Sequence, residues 1–108
     1  MDIRGNRFGA GILVKVLITD GNERAALAVT RALGGEQVEV IVGAESQRSL
    51  AGSSRYCRQS IAYPSPYQEP ERFIATLMEA VRTHRVDALI PLSDIAMHVL
   101  GPEKAQFE

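Results

Sequence analysis

The chain has 108 residues, 45% of them hydrophobic and 23% charged, with 12 Lys and Arg against 13 Asp and Glu for a formal net charge of -1. That length suits a single hydrophobic core, and the balanced charge leaves no surplus of cations for nucleic acid phosphates or an anionic membrane surface. The longest apolar stretch, Ile12 to Ile18, is broken by Lys15 and falls far short of the roughly 20 residues that a bilayer crossing needs. A lone cysteine, Cys57, builds neither a disulfide framework nor a cysteine-rich zinc site, so a cytoplasmic location is expected.

Residues 1–11 scatter Asp2, Arg4 and Arg7 among Gly5, Gly9 and Gly11. They lack the apolar core of roughly 7 to 15 residues of a secretory signal and read as a flexible arm before one domain over 12–108. Val14 to Thr19 is the first expected strand. Asn22 follows as a helix N-cap, Ala25, Ala26, Val29, Ala32 and Leu33 recur at helical spacing, and Gly34-Gly35 stops the helix. Val38 to Gly43 is the second strand, nearly continuous in apolar residues as a strand covered on both faces should be. Ser46 to Ser54 could hold a short helix, although its Ser, Gly and Arg content argues weakly for one. Ser60 to Tyr63 is a third strand, and Pro64, Pro66 and Pro70 mark an extended loop.

After Pro70, the apolar residues Phe73, Ile74, Leu77, Met78 and Val81 form one helical stripe, leaving Glu71, Arg72, Glu79 and Arg82 to solvent. Ala88 to Leu92 is the fourth strand, Ser93 caps a helix over Asp94 to Leu100, Gly101-Pro102 ends it, and Glu103 to Glu108 begins another turn. Strands alternating with helices specify an α/β domain with a mainly parallel sheet. Right-handed crossovers favour the strand order 3-2-1-4, a Rossmann-like three-layer αβα arrangement.

That order places the ends of the first and fourth strands together, where the crevice of a doubly wound sheet opens. Thr19, Asp20, Gly21 and Asn22 would then meet Pro91, Ser93 and Asp94, with Arg24 in the first helical turn adding a charge. Two helix N-termini there suit a small carboxylate or phosphate, although Asn22 and Ser93 are equally well read as plain helix caps and Gly21 as a turn residue. A nicotinamide fingerprint and a Walker A loop are both absent, since only Gly21 follows the first strand. His84 and His98 have no second histidine or cysteine at metal-ligand spacing, Cys57 reads as a partly buried structural thiol, and Asp20 with Asp94 suits turn support better than acid–base work. The Tyr63 to Tyr67 loop and the cluster Arg48, Arg55 and Arg58 read as a connection and a solvated face, or as contact surfaces.

Val16-Leu17-Ile18-Thr19-Asp20-Gly21, Arg24-Ala25-Ala26-Leu27-Ala28 and Val40-Ile41-Val42-Gly43 resemble the start of preATP-grasp domains. Ser49-Leu50-Ala51-Gly52-Ser53-Ser54-Arg55-Tyr56, Tyr63-Pro64-Ser65-Pro66 and the run from Val86 to Asp94 look like the matching segments of carbamoyl-phosphate-synthase-like ATP-grasp proteins. The resemblance implies the N-terminal, substrate-side domain of an ATP-dependent carboxylate–amine or thiol-type ligase. In that family two further ATP-grasp subdomains hold ATP and magnesium and activate a carboxylate as an acyl phosphate. Those subdomains have no counterpart in these residues, so the resemblance implies no catalytic residue, metal ligand or bound cofactor here. The implied partners are a small carboxylate substrate and the ATP-grasp domains of the same chain. A homodimer could form through an apolar patch at Met97, Val99 and Leu100. The alternative is a stand-alone Rossmann-like regulatory module that binds a small anion or nucleotide.

Overall fold

Four strands and three α-helices follow one another in a computed structural model that describes residues 13–103. The expected N-terminal arm and the turn expected beyond Glu103 lie outside the described residues. The strands are β1 (Val14–Ile18), β2 (Val38–Ala44), β3 (Cys57–Ala62) and β4 (Ala88–Ile90), and the helices are α1 (Arg24–Leu33), α2 (Pro70–His84) and α3 (Asp94–Leu100). All strand pairs are parallel, in the order β3-β2-β1-β4, so the domain is the expected α/β, Rossmann-like arrangement.

Because side chains along a strand alternate between faces, each central strand feeds two cores. Leu17 and Ile41 point into one, with Tyr63, Phe73, Leu77, Ala96 and Leu100; Val16, Ile18, Val40 and Val42 point into the other, with Ala26 and Ala51. The α2 stripe is as expected: Phe73 and Leu77 are fully buried, and Glu71, Arg72, Glu79 and Arg82 are exposed. Ser93 caps α3 as expected, its Oγ accepting from the Ala96 N–H at 3.2 Å.

Several boundaries and faces differ from expectation. On α1 the buried residues are Ala26 and Thr30, while Ala25, Ala32 and Leu33 are exposed. Thr30 can turn inward because its hydroxyl donates to the Ala26 carbonyl at 2.7 Å, which satisfies a polar group that hydropathy assigns to solvent. Asn22 is not the N-cap. Glu23 occupies that position without a side-chain cap bond, and the Asn22 Oδ1 accepts instead from the Leu50 N–H at 3.1 Å.

The Ser46 to Ser54 segment contains only a one-turn 3-10 helix, η1 (Ala51–Ser53). β3 starts at Cys57, three residues before the expected Ser60, across a register irregularity at Val40/Ile41; as an edge strand it tolerates the polar Arg58 and Gln59 that hid it. β4 stops at Ile90, short of the expected Leu92, because the next N–H that faces β1, that of Leu92, goes to the Thr19 side chain and not to a strand carbonyl. After α3 the chain runs into a 3-10 turn, η2 (Gly101–Glu103), instead of stopping at Gly101-Pro102. Leu100 is buried in the core and Val99 packs against it, which leaves Met97 as the exposed member of the expected apolar patch.

Candidate functional site at the carboxyl edge of the sheet

The ends of β1 and β4 are joined through Thr19. Its N–H donates to the Ile90 carbonyl at 3.2 Å, and its Oγ1 accepts from the Leu92 N–H at 3.0 Å. The Thr19 side chain is fully buried, and its hydroxyl donates to the Asp20 carboxylate. Thr19 thus holds the two strand ends together with its backbone and its side chain, its Oγ1 taking the Leu92 N–H just beyond β4. The segments that end β1 and β4 do converge as the strand order requires.

Asp20 takes the sharp turn out of β1 in a left-handed conformation, φ 62°. Aspartate is one of the few residues other than glycine that visits this region readily. Its N–H donates to the Tyr63 hydroxyl at 2.9 Å. Gly21 follows for a different reason. A Cβ there would lie 2.5 Å from the Ser49 Oγ and 2.7 Å from a Val42 methyl, so the position is governed by close approach rather than by backbone angle. Its N–H donates to the Gly43 carbonyl at 3.0 Å and its carbonyl accepts from the Ala51 N–H at 2.8 Å, clamping the turn between β2 and η1.

Beside this turn lies a cleft of about 240 Å³ lined by Asp20, Gly21, Asn22, Glu23, Ala44, Glu45 and Tyr63. Of the expected site residues it gathers Asp20, Gly21 and Asn22. Thr19 lies beneath it, Arg24 and Asp94 are exposed, and Ser93 spends its hydroxyl on the α3 cap. Pro91, Ser93 and Asp94 are not among the residues lining this cleft, which opens between the ends of β1 and β2. Three carboxylates, on Asp20, Glu23 and Glu45, face it, with no cation among the described lining residues. The field is therefore negative, the opposite of the anion-binding character expected from helix N-termini alone.

Sequence reasoning missed Glu45 and put Tyr63 at the end of the third strand and the start of a loop, outside the expected site. The available signal was topological, because in a parallel sheet the residue after each strand lies at the same edge, and Tyr63 and Glu45 directly follow β3 and β2. Tyr63 is buried against Phe73 in an edge-to-face pair with centroids 4.8 Å apart. Burial pushes its phenol well above the usual tyrosine range, and the Asp20 and Glu45 carboxylates push the same way against the opposing Asp20 N–H bond. The hydroxyl stays protonated and is a fixed neutral contact at the cleft wall.

Among the described residues, no group of three or more His, Cys, Asp or Glu could hold a metal ion. Cys57 is partly buried against the smaller core, and its thiol donates to the Gln59 carbonyl at 3.2 Å. Among the described residues no helix is long and apolar enough to cross a membrane. No protein-family model matches the chain, and comparison with curated proteins finds none similar to it.

Proposed function

We propose that this chain is the substrate-side, preATP-grasp-like domain of an ATP-dependent carboxylate–amine ligase, and that it does not turn over ATP by itself. The reading rests on the motif order along residues 14 to 100, and the observation that carries it is the junction at Thr19. There the Thr19-Asp20-Gly21 turn and the Ile90-Pro91-Leu92 segment, both part of the resemblance, meet at one edge of the sheet through the Thr19 N–H and Oγ1. An edge held in this way offers the rigid wall that positioning a reactant requires.

The lining chemistry sharpens the role. Asp20, Glu23 and Glu45 suit a protonated amine better than a carboxylate, so the amine nucleophile is the reactant this wall would receive. The acid and ATP, with its magnesium, would be held by ATP-grasp subdomains, which alone supply the activating phosphoryl chemistry.

The test is the intact mass of the product of the uninterrupted gene, followed by ATP-to-ADP turnover on that product with panels of carboxylates and amines. Turnover that requires both an acid and an amine in a longer chain establishes the ligase reading, and Asp20→Asn together with Glu45→Gln should then raise KM for the amine more than for the acid. A native product ending at Glu108, with no acid-dependent turnover, would sink it and leave a stand-alone, non-catalytic binding module as the better account.

A further inference from the structure

On the face of the molecule carrying α1, a groove of about 570 Å³ runs between that helix and the η1 segment, walled by Leu27 and Arg31 on one side and by Leu50, Arg55 and Tyr56 on the other. Leu27 and Arg31 stand four residues apart on one helix and so share a face. Leu50 is 43% exposed and Tyr56 36% exposed, which leaves apolar surface open to water in the groove. Among the described residues its charged lining is cationic, with two arginines and no carboxylate, in a chain whose acidic side chains outnumber the basic ones.

The groove is held open by its own hydrogen bonds and packing. At one end Leu50 and Ala51 donate their N–H groups to the Asn22 Oδ1 and the Gly21 carbonyl, at 3.1 Å and 2.8 Å. At the other, Tyr56 lies so close over Gly34 that a Cβ on the glycine would come within 2.7 Å of the Tyr56 Cβ. Arg55 lies over the Tyr56 ring at 4.9 Å and donates to its hydroxyl at 2.8 Å, so one cation is already oriented. A walled groove of this kind loses little freedom when it is filled.

We propose that this groove docks an acidic amphipathic helix of a partner protein, with apolar side chains seated on Leu27, Leu50 and Tyr56 and carboxylates paired to Arg31 and Arg55. Charge complementarity selects this occupant. Guanidinium groups pair with carboxylates through two parallel N–H donors, and an apolar groove takes the leucine or phenylalanine stripe of a helix. The cleft beside Asp20 is lined by different residues, so the inference stands apart from the ligase reading.

The test uses the whole chain and two synthetic helical peptides, each with leucines at i, i+4 spacing, one flanked by glutamates and the other by lysines. Amide chemical-shift mapping should show the glutamate peptide perturbing Leu27, Arg31, Leu50 and Ser53 to Tyr56, with weaker binding at higher salt. Arg31→Glu with Arg55→Glu should weaken that peptide about tenfold or more and give the lysine peptide a site it lacks on the unaltered protein, with amide shifts away from the groove unchanged. The exchange of preference separates docking from a structural effect of the arginines. Equal binding of both peptides, shifts centred elsewhere, the same shifts produced by inorganic phosphate, or dilution-dependent shifts at these residues from self-association would each overturn the proposal.

Discussion

On one face of the sheet, Leu17 and Ile41 meet Phe73, Leu77 and Leu100, large side chains delivered mainly by the 15-residue helix α2. On the other, Val16, Ile18, Val40 and Val42 meet Ala26 and Ala51, with Thr30 buried among the α1 contacts. The first face is filled by large side chains, whereas the second is covered by smaller ones, and beside it Gly21 leaves room for the Val42 and Ser49 side chains. A thickly covered face fails when volume is removed, and a thinly covered one fails when volume is added. The thin face is also the one that keeps an open groove, because small residues leave α1 and η1 short of sealing each other.

The largest effect should come from Phe73→Ala, which empties the centre of the thick face and is expected to cost about 3–5 kcal/mol by denaturant unfolding. A loss under about 1 kcal/mol would show that α2 can collapse onto the sheet. Gly21→Ala should destabilise by about 1–3 kcal/mol, since the added methyl meets Ser49 and Val42. Gly35→Ala, where an added Cβ meets nothing within 4 Å, serves as the neutral control, and equal losses at both glycines would remove the distinction between the faces.

Tyr63→Phe keeps the aromatic pair with Phe73 but removes the acceptor for the Asp20 N–H, at a cost of about 1 kcal/mol. It should also change the alkaline limb. An unfolded tyrosine ionises near pH ~10, and burial holds the native phenol above that. As pH rises past that point the unfolded state loses its proton first, so the native protein is progressively destabilised, while below it the contribution is fully present. The stability–pH profile of Tyr63→Phe should therefore be flatter on the alkaline side, and an unchanged slope would contradict the burial argument.

The smallest expected effect is favourable. α2 ends in a Schellman pattern, with Arg85 and Val86 N–H groups bonded to the Arg82 and Val81 carbonyls and Arg85 in the left-handed region at φ 55°. Arg85→Gly relieves that conformation and should raise stability by up to about 1 kcal/mol, visible as a higher melting temperature.

The alternation of apolar strands with amphipathic helices was enough, in sequence alone, to determine the parallel sheet, its order and the inward stripe of α2, because burial on two faces leaves a nearly continuous apolar signature in β1 and β2, broken only near their starts by Lys15 and Glu39. Ser93 was legible as a cap for a similarly local reason, since the bond it accepts comes from three residues away. Tertiary contacts decided the rest. Asn22 abandons α1 for Leu50 across 28 positions, Thr30 hides its hydroxyl on its own helix, and β3 gathers polar residues because it lies at an edge. The cleft itself depends on Glu45 and Tyr63 arriving at the end of β1 from two other strands. A one-dimensional pattern records which residues prefer to be buried, but not which distant carboxylates the parallel sheet brings to one edge, and that charge is what turned an expected anion site into a negative one.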